Sequence, residues 1–388
     1  MGTEQEYKNG QHPLIMENTD RKIKVCHLTS VHRYTDNRVF FKECTTLAES
    51  GYDVTLVAPN VENHDRNGVH LVGVKGHTNR FKRIFITAFR YVYREAKRQK
   101  ADVYHFHDTE LIPVGLMLRL KGKRVIYDVH ENNAGAILSR SYVKSSFFKK
   151  ILSFSIKVLE KGSARFFSTI VTARPDITEI FKKHKPFTVR NFPVLPDYDS
   201  IPDVDVDKTK TSVIYVGGMT EIRGLITLIQ AFEKIDNAEL WLLGFFGNDG
   251  FRAACESEAG WKNTKFLGSV EADQIFGYIK KADIGVVTFL PVPNHITTLA
   301  NKPFEYMACG LPIVMSNFEY WQNFFKDSAL YADPADADDV REKLQTLIDN
   351  PELRNKMGEK NLHLTQTEYN WELESKVLLE AYEFVLSK

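Results

Sequence analysis

Short apolar runs alternate with amphipathic stretches, once before a Pro- and Asp-rich break and again after it, and this rhythm constrains the chain more than any other feature. Lys22 to Ser30 (KIKVCHLTS) is predicted as a buried strand, Asn37 to Ser50 carries apolar residues at helical spacing with Gly51 ending it, and Asp53 to Ala58 is the next strand. The β-α-β unit recurs. Helices near Phe81–Lys100, Leu111–Leu120 and Phe147–Lys161 separate strands at Val103–His107, Arg124–Val129 and Ser168–Thr172. Between Asn191 and Lys210 (NFPVLPDYDSIPDVDVDKTK) the period stops, as in an interdomain linker. Strands are then predicted at Ser212–Val216, Glu239–Leu243, Thr264–Leu267, Ile284–Phe289 and Pro312–Met315, with helices at Leu225–Lys234, Phe251–Glu258, Ala272–Lys281 and Pro303–Cys309 between them.

Strands joined through helices imply mostly parallel sheets covered on both faces. The expected architecture is α/β, with two doubly wound Rossmann-like domains, 22–192 and 212–368, facing a central cleft. A linker, 193–211, joins them; 1–21 is expected to be disordered, and an amphipathic helix over 369–388 is expected to pack back on the first domain. At 388 residues and 43% apolar content the chain can furnish two cores, which excludes wholesale disorder. Lys and Arg total 51 against 50 for Asp and Glu, so no nucleic-acid partner held by overall positive charge is expected. Cys26, Cys44, Cys255 and Cys309 form no CxxC pair, which argues against a disulfide framework and suits a reducing compartment. The first 21 residues are polar and no run approaches ~18 apolar residues, so a cytoplasmic protein is expected.

Ligands of open parallel sheets bind outside the carboxyl ends of the strands. The strand SVIYV ends in Gly217-Gly218-Met219, followed by Thr220-Glu221-Ile222-Arg223-Gly224 and a helix. A glycine pair admits an anion to backbone N–H groups, and Arg223 can grip phosphate in a bidentate fork; the bland alternative is a tight turn with a surface arginine. Farther on, Asn301 to Pro312 (NKPFEYMACGLP) places Pro303 at a helix start, Gly310 at its end and Glu305 in the first turn. There Glu305 can accept hydrogen bonds from sugar hydroxyls or simply complement the helix dipole.

These segments resemble the GT-B glycosyltransferases of the family-4 type. The resemblance runs through Tyr215-Val216-Gly217 with a basic residue and Gly224, Leu243-Gly244, Phe266-Leu267-Gly268, Ala282-Asp283-Ile284 and Phe304-Glu305-Tyr306-Met307-Ala308-Cys309-Gly310. It extends to His27-Leu28-Thr29-Ser30 and to Asp102-Val103-Tyr104-His105-Phe106-His107-Asp108 in the first half, so it spans about Lys22 to Lys388. It implies transfer of a sugar from a nucleotide diphosphate donor to an acceptor, with retention at the anomeric carbon and no metal or other cofactor. By position, Arg223 matches the basic residue on the diphosphate, Glu305 the carboxylate on the donor ribose, and His130 the histidine that meets the donor sugar. Gly217, Gly218, Gly244, Leu267, Gly268, Thr298 and Lys302 complete the donor side.

Two departures stand out. Thr297 occupies the place of the family's first motif carboxylate, so Thr297, Thr298 or the backbone amides of His295–Ala300 are expected to make the donor-sugar contacts there, and Gly218 takes the place of its usual arginine, a charge that Lys302 is placed to restore. His32, Asp36, Arg38, His107 and Asp108 follow strands and are expected on the acceptor side. Two metal readings carry less weight: Asp203, Asp205 and Asp207 fall in the linker, and His105 and His107, at i and i+2, are more often hydrogen-bonded than zinc ligands. Between Arg80 and Lys161 basic residues exceed acidic ones by about eleven, interleaved with Phe, Ile and Tyr, which suits peripheral contact with the anionic inner face of a plasma membrane as well as ordinary solvated helix faces.

The resulting expectation is a transferase using a UDP-sugar, with a cell-surface polysaccharide or lipid-linked oligosaccharide as acceptor. The alternatives are a sugar-nucleotide 2-epimerase on the same fold and a non-catalytic sugar-nucleotide-binding subunit. A nicotinamide dehydrogenase is disfavoured because no strand is followed by G-x-G-x-x-G.

Overall fold

The computed structural model describes residues 21–130, 133, 146–271, 274–296 and 298–388, with the side chains of 146–149 and of 294 excepted. The chain forms two compact units, one of residues up to Val189 together with Val377–Lys388, the other Arg190–Lys376. The N-terminal segment 1–20 and Thr297 lie outside the described residues.

In the first unit the strands are β1 (Lys24–Leu28), β2 (Asp53–Pro59), β3 (His64–Arg66), β4 (Val69–Val74), β5 (Val103–Phe106), β6 (Arg124–Val129), β7 (Thr169–Thr172) and β8 (Phe187–Thr188). They line up as β3-β4-β2-β1-β5-β6-β7-β8, parallel throughout except for the β3–β4 hairpin. The hairpin and β8 were not expected from the sequence. Asp36 starts the first helical stretch by accepting from the N–H groups of Arg38 and Val39, and π-helical Asn37–Cys44 then runs into Thr45–Glu49. Leu28, Val57, Phe106 and Tyr127 are fully buried between the layers, and Phe106 stacks on Tyr127 with ring centroids 4.6 Å apart. Burial of each such side chain contributes roughly 1.5–3 kcal/mol. From the C-terminal helix Trp371–Leu386, Tyr382 is buried within this unit.

The second unit holds β9 (Thr211–Val216), β10 (Ala238–Leu243), β11 (Thr264–Gly268), β12 (Ile284–Val287), β13 (Ile313–Ser316) and β14 (Leu330–Ala332), ordered β11-β10-β9-β12-β13-β14 and all parallel. The Pro- and Asp-rich segment lies along this unit instead of hanging free. Lys280 donates to the Tyr198 carbonyl at 2.7 Å, Lys265 to that of Asp207 at 2.6 Å, and Lys281 pairs with Asp203 at 3.1 Å. Phe192 packs on Phe304 and Tyr369, so residues from Arg190 onward count with the second core. Two further helices beyond β14, Ala337–Ile348 and Pro351–Thr367, had no counterpart in the sequence reading; Asp336 and Asn350 cap their starts.

Candidate functional site

In both sheets the strand order reverses beside the central strand, between β1 and β5 and between β9 and β12. Ligands of open α/β sheets bind outside the carboxyl ends of strands at such a switch point.

In the first unit the ends of β1, β5 and β6 deliver Thr29 and Ser30, then His107 and Asp108, then His130. The two-residue period of β5 puts His105 and His107 on one face, and parallel register sets His27 beside His105. A sheet buried on both faces ordinarily carries Val, Ile and Leu here. Instead His27, His105, His107 and Asp128 occupy the position, all buried. Asp128 accepts from Arg38 Nε at 3.1 Å and Nη2 at 2.9 Å, Arg38 Nη1 donates to the Val189 carbonyl at 2.7 Å, and Glu43 Oε1 lies 3.0 Å from Arg38 Nε. Arg38, expected on the acceptor side, is thus corrected to a buried counter-ion, 4% exposed and occupied on every face. Asp36 likewise serves as helix cap and partner of His32.

His32, His107, Asp108 and His130 do come together, lining with Arg80 and Arg83 a cavity of about 610 Å³. Asp108 Oδ2 accepts from the Thr29 hydroxyl at 2.9 Å and the Ser30 N–H at 2.6 Å, which holds the loop after β1 in place. His130 Nε2 makes a short hydrogen bond to Asp128 Oδ2.

Burial pushes the Asp128 carboxyl up, but the Arg38 charge beside it, then the His130 and His107 contacts, hold it well below the usual range. Glu43 goes the other way: burial first, and then the ionised Asp128, push it up, so it is held as the neutral acid. His32 sits with Nδ1 3.0 Å from Asp36 and Nε2 3.4 Å from Asp108. Burial lowers it, yet the Asp36 hydrogen bond and the two carboxylate charges raise it above an ordinary histidine. Burial raises Asp36, and the His32 and Val39 hydrogen bonds outweigh that and depress it strongly.

A raised histidine stabilises the fold fully below its unfolded pKa and loses that contribution as pH climbs through the folded one; a depressed carboxylate contributes above its unfolded pKa and fades as pH falls. The pair therefore contributes most between about pH 4 and 6.5. Urea midpoints are expected to show His32→Asn further below wild type at about pH 5.5 than at about pH 8.5. An equal gap at both values contradicts the pairing.

In the second unit β9 runs into Gly217, at φ +136°, a conformation open to glycine. The Gly217 N–H donates to the Leu243 carbonyl at 2.9 Å, so it is not available to an anion, contrary to the expectation for the pair. The Gly218 N–H meets no acceptor among the described residues. Gly224, at φ +70°, brings the Glu221–Arg223 turn against β12 so closely that a Cβ there would lie 1.9 Å from the Thr288 carbonyl oxygen.

Arg223 is thereby laid over Phe289, its guanidinium carbon 4.1 Å from the ring centroid, with no carboxylate partner among the described residues. Phe289 is itself backed by His295 at 4.8 Å and Trp321 at 5.9 Å between ring centroids. Lys302 donates to Glu305 at 2.7 Å, and its Cε lies 3.6 Å from where a Gly217 side chain would begin. Two cations, one carboxylate and a free amide therefore gather at the carboxyl ends of β9 and β12.

Gly244 and Gly268 serve the backbone: the Gly244 N–H donates to the Gly268 carbonyl at 2.8 Å, and a Cβ on Gly244 would lie 2.1 Å from the Gly217 oxygen. Leu267 is half-buried on β11, and the Thr298 carbonyl accepts from the Trp321 indole at 2.8 Å. Sequence reasoning missed the Phe289–His295–Trp321 shelf, whose only trace was an aromatic residue ending the β12 run. It also missed Tyr306, whose hydroxyl takes the Val216 N–H at 3.0 Å.

Residues 199–363 match the family model of glycosyl transferases group 1, and residues 37–196 match that of glycosyltransferase family 4. The chain belongs to the GT-B glycosyltransferases of the family-4 type. Solved structures agree on the fold. A glycosyltransferase from Rickettsia africae superposes with a TM-score of 0.71 at 13% identity, over 95% of this chain and 99% of that one. Sucrose-phosphate synthase from Thermosynechococcus elongatus gives 0.69 at 15%, over 94% and 100%, and Anabaena HepE in complex with UDP gives 0.64 at 11%, over 94% and 100%. An uncharacterized glycosyltransferase of Methanocaldococcus jannaschii is 25% identical over 165 residues, 41% of this chain and less than half, 44%, of that protein.

Proposed function

We propose that this glycosyltransferase moves a sugar from a UDP-sugar to a saccharide or lipid-linked saccharide of a cell-surface polysaccharide, retaining the anomeric configuration and using no metal ion. The observation that carries the donor side is Arg223, a guanidinium stacked on Phe289 after β12 with no carboxylate partner among the described residues, while Lys302 lies against Gly217 at the end of β9. As the anomeric C–O bond breaks, its electron pair stays on the diphosphate, and fixed positive groups stabilise charge as it develops. Glu305, steadied by Lys302, is suited to accept from the donor ribose. In the first unit His130 is suited to meet the donor sugar, and the cavity it shares with His32 and Asp108 to receive the acceptor. The acceptor hydroxyl oxygen bonds to the anomeric carbon on the face the diphosphate leaves, and its proton passes to a phosphate oxygen. UDP is favoured because Anabaena HepE, of the same fold, was solved with UDP and with UDP-glucose.

Ligands that bind only the folded state raise its stability, by about 2.7 kcal/mol at a hundredfold excess over Kd. UDP is expected to raise the Tm more than GDP, ADP or CMP, unaltered by EDTA, with the shift reduced in Lys302→Ala. A GDP-selective or EDTA-sensitive shift contradicts the donor or the metal-free reading respectively.

A membrane-facing role for the first unit is supported by Phe81 and Phe85, 75% and 63% exposed on the helical stretch from Arg80 to Val92, and by exposed Ile151, Phe154 and Val158 on the helix Ser146–Ala164. No helix among the described residues is long and apolar enough to cross a membrane. Vesicles containing phosphatidylglycerol are expected to sediment the protein at low salt and to release it at high salt, and Phe81→Ser/Phe85→Ser to weaken binding. Equal sedimentation with neutral vesicles contradicts it.

A further inference from the structure

The polar face of β1, β5 and β6 is more than a cluster of buried groups, because each of its hydrogen bonds has a direction fixed by one charge. Asp128 is ionised against Arg38 and accepts only. The nitrogens that reach its Oδ2, His107 Nδ1 at 3.1 Å and His130 Nε2, must both be donors. Buried and neutral, His107 then has a bare Nε2, which takes a proton from His27 Nδ1 at 2.9 Å. His27 in turn presents a bare Nε2, which accepts from the Tyr382 hydroxyl at 3.0 Å. The Tyr382 oxygen accepts from His105 Nδ1 at 2.9 Å, leaving His105 Nε2 without a proton. That atom is buried and has no hydrogen-bond partner among the described residues, so the chain ends there. Every proton from His107 through His27 and Tyr382 to His105 is placed, and these three imidazoles are neutral.

We propose that Tyr382, His27 and His107 are positioning residues for His130: their directed chain, ending on Asp128, locks the His130 ring with its proton on Nε2 and so leaves Nδ1 as the nitrogen offered to a sugar hydroxyl. This rests on the donor-sugar role given to His130 above, while the tautomer itself does not. Without Tyr382, His27 is free to carry its proton on Nε2. His107 Nε2 then loses its donor, and the His107 ring, whose Nδ1 lies 3.3 Å from His130 Nε2 with both protons directed at Asp128 Oδ2, can turn away from Asp128 and unseat the His130 ring packed against it at 5.3 Å between centroids. A residue 252 positions away in the chain thereby bears on His130 at the end of β6. The same side chains bring ligand-type atoms of His27, Glu43, His105 and His107 within 4.8 Å of one another, an arrangement a buried cation would also use. Arg38 beside both Glu43 and Asp128 disfavours one.

The test combines ¹⁵N NMR of the histidine side chains of the full chain with steady-state turnover of UDP-glucose. Tyr382→Phe keeps volume and removes one hydroxyl, and His107→Asn keeps a donor at the Nδ1 position. Wild type is expected to show His130 as a single Nε2-protonated form. Tyr382→Phe should give a mixture of His130 tautomers and a kcat about 3–10-fold lower with KM within twofold, and His107→Asn should retain more of the wild-type His130 signature than His107→Phe. An unchanged His130 signature in Tyr382→Phe overturns the proposal, as does stoichiometric metal in the purified wild-type protein by elemental analysis. If the signatures move as stated while no nucleotide sugar is turned over, the positioning stands and the donor-sugar role of His130 falls.

Discussion

Arg38→Ala is expected to cost more stability than any other single substitution in the first unit, about 3–5 kcal/mol. The guanidinium lies between Asp128 and Glu43 with 4% exposure, and its removal leaves the Asp128 charge buried and without its counter-ion. Because Arg38 depresses the Asp128 carboxyl, the stabilisation is complete above the ordinary carboxylate range and is lost as pH falls through the folded value. Glu43, raised by burial, has the opposite slope: its neutral form is increasingly costly relative to the unfolded chain as pH rises. The gap between wild type and Arg38→Ala, read from urea unfolding, is therefore expected to be widest near neutral pH and to narrow in acid. Arg38→Lys should recover only part of it, since a lysine cannot span Asp128 in a two-pronged bond and reach the Val189 carbonyl as well. A loss under ~1 kcal/mol at pH 7, the size of an exposed pair, contradicts this account.

The second large effect concerns turnover. Arg223→Ala is expected to lower kcat for UDP-sugar turnover by about 10²–10³ while leaving the urea midpoint close to wild type, because among the described residues the guanidinium meets the face of Phe289 and no carboxylate. Phe289→Leu should produce a smaller loss of the same kind, by removing the shelf that aims Arg223. A variant that loses activity and stability together assigns Arg223 to structure instead.

Much of the fold was legible because parallel sheets write themselves as repeated apolar runs, so ten of the strand-forming segments and the break between halves show in the sequence. The β3–β4 hairpin did not, since His64–Arg66 is exposed and polar and carries no strand period. Nor did β14 with the helices Ala337–Ile348 and Pro351–Thr367, in a stretch between Met315 and the C-terminal helix to which the sequence reading assigned no element. At the site, Pro303, Glu305 and Gly310 read correctly as helix start, first turn and helix end because those signals are local. The rest depends on partners far apart in sequence. Arg38 and Asp128 are 90 positions apart and Tyr382 and His27 are 355 apart, so Arg38 looked like a loop residue and the histidines of β1 and β5 like separate features. The Gly217 amide was misread for a related reason. A glycine pair suggests an open anion cradle, but whether its N–H already serves the ladder depends on a neighbouring strand, here Leu243.

Retaining transfer from a UDP-sugar is tested by ¹H NMR of UDP-α-glucose and related UDP-sugars incubated with the enzyme and EDTA, following the first sugar anomer released or transferred. UDP formation is expected with the α-anomer appearing before mutarotation, and both are expected to be lost in Arg223→Ala and in His130→Ala. Initial release of the β-anomer, or conversion of the UDP-sugar to its epimer without release of UDP, would contradict it.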